Sequence, residues 1–391
     1  MRIAHVITRM IIGGAQENTL LCCRDLMRHY GDDVLLITGP SPGPEGSLMS
    51  AVEEAGVPFQ VLSDLRRAIS PWHDARAYQQ LKRSLRGFAP EVVHTHSAKG
   101  GVLGRFAAHA LGVPAIVHTV HGAPFHEYQN PIVRAGYRWC ERQAARRCHA
   151  LVSVADAMTE RMVAGQVAPR EKFCTVYSGM EVEPFLNAEN QRAAMRDQLA
   201  YRAEDVVFSK VARLAPLKGH DDFVAAAQCV HAQLPSARFL LVGDGSLRHQ
   251  IEHQIHAAGL QRCVQLVGLV PPEQIPAYLA ASDVVVHTSL REGLARVLPQ
   301  AMLAGRPVIS YDIDGAREVV IAEQTGLLVP PRQVVQLANA MMRLGTSAAE
   351  RDAWGANGRA RCMDRFRCET MTQRLRELYQ RLLRFPTHID L

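Results

Sequence analysis

The stretch 283–320, DVVVHTSLREGLARVLPQAMLAGRPVISYDIDGAREVV, constrains the fold more than any other part of the chain, because strand, polar loop, helix and strand follow one another in fewer than forty residues. Val284, Val285 and Val286 are β-branched and apolar enough for a strand buried on both faces, and the polar run from Thr288 to Gly293 interrupts it. Val297, Leu298, Ala301, Met302 and Ala304 then recur at helical spacing. Pro299 is tolerable only near a helix start, and Gly305 with Pro307 ends the helix. Gly293, Leu294 and Ala295 are therefore expected at a helix N-terminus, at the carboxyl end of a parallel strand. Free N–H groups and the positive end of a helix dipole suit a phosphate there.

The rest of the chain repeats this grammar. Residues 1–175 alternate strand-like runs (RIAHVI, DVLLIT, FQVL, EVVHTH, AIVHTV) with helix-like ones from Gln16 to His29, near SLMSAVEEAG, along AYQQLKRSLRGF and from Gly100. A second series opens near Val206 with VVFSKVARL and runs through HDDFVAAAQCVHAQL, ARFLLVGDG, SLRHQIEHQIHAAG, VQLVG and a short helix at 275–281. Such alternation predicts two parallel sheets with helices on both faces, an α/β fold of two Rossmann-like halves. A length of 391 residues is too long for one core. The polar stretch from Glu181 to Glu204, poor in strand formers, is expected to be the hinge. Beyond Gly345 the pattern is helical only, and MTQRLRELYQRLLRF carries an apolar stripe that needs a surface to cover it.

Composition narrows the class. Hydrophobic residues at 48% and charged ones at 21% suit a soluble globular chain, and no apolar run reaches the eighteen or so residues of a membrane span. MRIAHVITRM is broken by His5 and Arg9, so no signal peptide is read, and a cytoplasmic location is expected, extending to the inner face of the cell membrane. Nine scattered cysteines without a Cys-x-x-Cys pair fit buried thiols in a reducing compartment. Residues 1–180 hold 20 basic and 15 acidic side chains, a mild excess that suits an anionic partner and is too sparse for a nucleic-acid groove.

Two further loops bear charge at strand ends. VARLAPLKG at 211–219 sets Arg213 and Lys218 just after the first strand of the second half, where a guanidinium fork and an ammonium can neutralise a diphosphate. Near the start, Gly13-Gly14-Ala15 lies between a strand and a helix, without the full Gly-x-Gly-x-x-Gly fingerprint of dinucleotide-binding oxidoreductases. Glu292 and Gln300 frame the anchoring loop. Glu292-x7-Gln300 followed by AMLAGRPVI resembles the signature of retaining glycosyltransferases of the family 4 type, the glycosyl transferases of group 1, in which Glu-x7-Glu precedes an AMAxGxPVI-like run. VARLAPLKG resembles the same family's Arg-Leu-x3-Lys-Gly element, and the likeness covers nearly the whole chain.

That resemblance implies a GT-B fold, with two Rossmann-like domains facing across a cleft and a last helix crossing back onto the first. The expected division is 1–185 for the acceptor domain, 186–365 for the nucleotide-sugar domain and 366–391 for the returning helix. It also implies roles. Arg213, Lys218 and the backbone at Gly293, Leu294 and Ala295 would hold the donor diphosphate, Glu292 the sugar and Gln300 the ribose. Gln300 stands where the family has a second Glu, and an amide is a weaker partner for hydroxyls than a carboxylate. Gly14 would lie beside the diphosphate and acceptor, Val270 would wall the base pocket, and His121, in Thr119-Val120-His121-Gly122, would orient a sugar hydroxyl or polarise the leaving group.

Other features have two readings. His94, His96, His118 and His121 crowd two strand ends and invite a metal, but lack a matching carboxylate spacing; no metal and no cofactor are expected. Asp312-Ile313-Asp314 spells the Asp-x-Asp of metal-dependent transferases of another fold, yet its setting suits Asp314 as an N-cap. Along 132–148, Arg134, Arg138, Arg142 and Arg146 form a stripe opposite Val133, Tyr137, Cys140, Ala144 and Cys148. With Trp139 it could meet anionic lipid or an acceptor diphosphate, or be a solvated face. The expected activity is transfer of a sugar from a nucleotide-diphosphate sugar to a glycan or lipid-linked acceptor in cell-surface polysaccharide or glycolipid synthesis. A nucleotide-sugar 2-epimerase and an inactive nucleotide-sugar sensor are the rivals.

Overall fold

The β-branched runs that end in polar loops are strands of two parallel sheets in a computed structural model, which describes residues 1–41 and 46–385. The chain forms two units. One comprises Met1–Met180 with the chain from Arg367 onward, and the other is Glu181–Phe366.

In the first unit the strands are β1 (Arg2–Arg9), β2 (Asp33–Gly39), β3 (Phe59–Val61), β4 (Val92–His96), β5 (Ala115–Val120), β6 (Ala150–Ser153) and β7 (Phe173–Thr175), ordered β3-β2-β1-β4-β5-β6-β7. Every pairing is parallel, with Ile3 beside both Val34 and Val92, and His5 beside His94. The chain order reverses between β1 and β4, so the loops leaving those strands open a crevice at their carboxyl ends. The helix Gly14–Tyr30 starts at the first of these loops and the helix Ala98–Ala110 at the second.

The second unit repeats the plan with β8 (Val206–Val211), β9 (Ala237–Val242), β10 (Val264–Gly268), β11 (Val284–His287), β12 (Val308–Tyr311) and β13 (Gly326–Val329), ordered β10-β9-β8-β11-β12-β13. Its reversal lies between β8 and β11. Phe208, Phe223 and Phe239 pack with Val284, Ile309, Leu337 and Met341 in its main core, and the Phe208 and Phe239 rings stack 5.8 Å apart.

The stretch read as a hinge is folded. Residues 183–198 form the helices Glu183–Leu186 and Arg192–Gln198 with a 3-10 turn between them, all inside the second unit. Arg192 and Arg196 both grip Asp283, at 2.6 and 3.2 Å, and Arg196 also donates to the carbonyls of Arg202 and Asp205. A polar sequence without strand formers here marks short helices whose arginines point inward.

The terminal helix Cys368–Arg384 belongs to the first unit. Met371, Leu375, Leu378, Tyr379 and Leu382, which share one face of the helix, are buried against Ile3, Leu26 and Val34. Each full burial of a side chain of this size is worth about 1.5–3 kcal/mol. Arg376 Nε reaches Asp32 at 2.8 Å, and Asp32 also accepts from the amino terminus at 2.7 Å. Met180 and Arg367 form a parallel bridge, and a Cβ on Gly179 would stand 2.6 Å from the Cys368 Cα, so only glycine lets the two strands of chain pass. Residues 386–391 of the expected returning segment lie outside the described residues. Of the nine thiols, six are buried, Cys140 and Cys174 are half-buried, and Cys229 is exposed, so the expectation of uniformly buried thiols holds for six.

Candidate functional site

In the second unit, the loops after β8 and β11 flank the sheet reversal and are sewn together. Leu217 and Gly219 have φ of 66° and 63°, and a Cβ on Gly219 would stand 2.0 Å from the Thr288 carbonyl oxygen. Leu290 N–H donates to Leu217 O at 2.8 Å, and the Thr288 hydroxyl donates to Gly219 O at 2.6 Å. These contacts bring Lys218 to Glu292: the ammonium donates to Glu292 Oε1 in an ion pair that is about one-fifth exposed. His287, at the end of β11, lies 3.5 Å from the same oxygen through Nε2, and its Nδ1 meets Ser310 Oγ at 3.3 Å.

The electrostatics of Glu292 are a contest. Burial raises its pKa, but the Lys218 charge and the His287 hydrogen bond outweigh burial and hold the carboxyl far below the usual carboxylate range. His287 is pushed below its ordinary value by burial, with Glu292 opposing. Glu292 is therefore an anion, with its backbone held too: its N–H donates to Asp314 Oδ2 at 2.7 Å. This corrects the reading of Asp314 as an N-cap. The helix Ala316–Val319 is capped at Gly315, whereas Asp314, at φ 44°, turns its carboxylate to the loop carrying Glu292.

The helix after that loop is shorter than the periodicity suggests. It runs Val297–Leu303 with Arg296 at its N-cap, so Gly293, Leu294 and Ala295 form a buried turn leading into it and not its first turn. Gln300 sits half-buried within the helix. At the far end, Gly305 (φ 73°) and Arg306 donate to the Met302 and Ala301 carbonyls, a Schellman closure. Arg213 is exposed, and among the described residues its guanidinium has no ion pair; its carbonyl accepts from His220 Nε2 at 2.9 Å. Val270 is buried with Val207, Val242 and Tyr278.

Behind these loops lies Lys210 on β8, 1% exposed, which the sequence reading passed over. The signal was a single lysine inside the apolar run VVFSKV.

The first unit holds a separate cluster that runs from the middle of β1 and β4 to the carboxyl ends of β4 and β5. His5 Nδ1 meets His96 Nε2 at 3.0 Å, and His96 Nδ1 meets His121 Nε2 at 3.1 Å. His94 bonds the Tyr379 hydroxyl of the terminal helix through Nδ1, and Thr119 Oγ1 at 2.7 Å through Nε2. The ligand atoms of His5, His94 and His96 lie within 4.8 Å of one another, close enough for a metal, yet both His94 nitrogens are engaged with hydroxyls and both His96 nitrogens with imidazoles. Burial pushes His5 down to about 3 and His94 and His96 well below the ordinary histidine value, so these rings are neutral. His121 is half-buried beside a cavity of about 40 Å³ bounded by Ser97, His118, Gly122 and Glu141. Gly14 opens the first helix, with Gly13 as its cap.

On the helix Pro131–Ala145, the buried face is Tyr137 (half-buried), Glu141, Ala144 and Ala145. Ile132, Val133 and Trp139 are exposed, at 83%, 49% and 62%, so Val133 leaves the face on which its spacing put it.

Family models agree with this architecture. "Glycosyl transferase 4-like domain" matches residues 13–179 and "Glycosyl transferases group 1" matches residues 191–361. The chain is 29% identical over 382 residues, 97% of its length and 96% of the relative's, to the UDP-Gal:alpha-D-GlcNAc-diphosphoundecaprenol alpha-1,3-galactosyltransferase of Escherichia coli. Among solved structures, Anabaena HepE in complex with UDP-glucose superposes with a TM-score of 0.82 at 22% identity, covering 97% of this chain and 100% of that one. The sucrose-phosphate synthase of Thermosynechococcus elongatus does so at 0.81 and 22%, covering 98% and 100%.

Proposed function

Because the chain belongs to the group 1 glycosyl transferases, and is thus a hexosyl-type transferase with a GT-B fold and a nucleotide-sugar donor, we propose that it moves a hexose from a UDP-hexose to a polyprenyl-diphosphate-linked sugar, retaining the anomeric configuration. The observation that carries this reading is the Lys218–Glu292 pair at the carboxyl ends of β8 and β11, where open α/β sheets bind their ligands. Lys218 has three N–H groups and spends one on Glu292, leaving donors for a diphosphate oxygen. Arg213 joins it from solvent. The backbone of Gly293, Leu294 and Ala295 takes further phosphate oxygens, the Glu292 carboxylate accepts from donor-sugar hydroxyls, and Gln300 meets the ribose. His121 and Gly14, in the first unit, serve the sugar and acceptor, and Val270 backs the base.

As the glycosidic bond breaks, negative charge grows on the leaving diphosphate, and these preorganised donors stabilise it. The diphosphate oxygen then takes the acceptor hydroxyl's proton, so the reaction needs no protein nucleophile and no metal. The test is transfer to GlcNAc-diphosphoundecaprenol from UDP-galactose, UDP-glucose or GDP-mannose in the presence of a chelator. A lipid-linked disaccharide with an α linkage and free UDP are expected. Isomerised nucleotide sugar without acceptor, or bound donor that never reacts, would overturn the assignment.

We place the acceptor at the inner face of the cell membrane, in the synthesis of a surface polysaccharide or glycolipid. No helix among the described residues is long and apolar enough to cross a membrane. The exposed Ile132 and Trp139, with Arg138 on the same helix and Arg146 at its C-cap, suit the boundary of an anionic bilayer. The protein should float with phosphatidylglycerol vesicles, and Ile132→Ser with Trp139→Ser should weaken that binding at least about tenfold. Equal flotation of variant and parent would remove the contact.

A further inference from the structure

Lys210 is a charged residue type buried in a strand, and both of its polar contacts are to the loops of the candidate site. Its Nζ donates to Lys218 O at 2.8 Å and to Thr288 Oγ1 at 2.7 Å, and Thr288 passes the contact on to Gly219 O. One side chain thus ties together the loops that carry Lys218 and Glu292. A neutral amine has two N–H groups, and these two acceptors use both; a third, on the ammonium, has no acceptor among the described residues. Burial and the nearby Lys218 lower Lys210 to about 7, against Glu292 and Asp222, which raise it. The other groups facing it are neutral imidazoles: burial pushes His220 down to about 3, and His287 is also below its ordinary value.

We propose that Lys210 is the buried proton acceptor of the donor site: when a nucleotide diphosphate binds beside Lys218, the Lys210 amine takes one proton from solvent and becomes the ammonium behind the site. The inference rests on the donor-site reading above. Lys218 is already neutralised by Glu292, so an incoming diphosphate brings net negative charge to a pocket whose back wall is a neutral amine. Protonating that amine restores the balance without moving a loop. Lys210 is a positioning residue in this scheme; it touches the loops and not the donor.

The test is titration calorimetry of the whole protein with UDP-galactose, whose diphosphate diester does not titrate near neutrality, in HEPES and in Tris. At pH 8 the heats should differ by the uptake of nearly one proton, and at pH 6 by almost none. Affinity should weaken roughly fivefold from pH 7 to pH 8. Lys210→Met should bind without buffer-dependent heat, with an affinity that stays flat over that range. NMR of the wild-type Lys210 side chain gives a readout independent of the variant's folding: its titration midpoint should rise when UDP-galactose is added. Binding with no proton uptake at pH 8, uptake that persists in Lys210→Met, or an unmoved midpoint overturns the proposal alone. Failure of UDP-galactose, UDP-glucose and UDP to bind at all overturns the donor-site reading along with it.

Discussion

Lys218→Ala is expected to lower kcat/KM for sugar transfer by about 10²- to 10³-fold, the range seen when a preorganised donor to a developing anion is removed. The loss should fall more on kcat than on KM, because the ammonium gains most when the diphosphate leaves with its full charge. A second consequence follows from Glu292. Its folded-state pKa is depressed, so it contributes stability that is complete above the unfolded value and is lost as pH falls through the folded one. Without Lys218 the burial that opposes the charged form is less well countered, the pKa climbs, and that contribution shrinks. Steady-state kinetics with saturating acceptor decide the matter, and turnover within about threefold of the parent would remove Lys218 from the mechanism.

Glu141→Ala is expected to cost the first unit about 3–5 kcal/mol, more than any loop substitution should. Arg105, on the helix Ala98–Ala110, is fully buried, and its Nη2 lies 2.7 Å from Glu141 Oε2 while its Nε donates to Gly101 O at 2.9 Å. Deleting the carboxylate strands a guanidinium without its anion in the interior. Replacing both partners with apolar groups, Arg105→Met with Glu141→Leu, should recover most of the loss, since the pair repays little beyond its own desolvation. Urea unfolding with an unchanged m-value gives the comparison. A Glu141→Ala loss below about 1 kcal/mol would show that the arginine finds another partner.

Much of the fold was legible because β-branched runs and apolar helical stripes have different periods. The α/β alternation, ten of the thirteen described strands and the short helix at Ile275–Ala281 follow from pattern alone, while the short edge-side strands β6, β7 and β13 do not stand out. Strand order does not, since periodicity carries no pairing; it comes from the structure alone. The amphipathic terminal helix is visible in the periodicity, whereas its partner is implied only by the family resemblance: a stripe says that something covers it, not what.

At the candidate site, residues on strand-end loops stood out because polar side chains there interrupt apolar runs. The contact between Lys218 and Glu292 spans 74 positions and could not be read from spacing. Asp314 reads as a cap because local chemistry carries no information about the loop opposite, to which its carboxylate turns. The Glu181–Glu204 stretch begins at the boundary between the two units, and its short helices stay hidden in the sequence because polarity reports solvent exposure and buried arginine pairs mimic it. Glu141 gave no sign, since a carboxylate among four arginines reads as surface until its face is known.

The second unit is inserted into the first, between Met180 and Arg367. A ribosome therefore releases the whole sheet β1–β7 long before it makes the helix that covers Ile3, Leu26 and Val34. At about 5–20 residues per second, the intervening residues take about 10–40 s to emerge. During that interval the nascent amino-terminal half carries a bare apolar face, so the last helix completes a fold begun at the first strand, and chaperone demand should concentrate on chains still attached to the translation machinery.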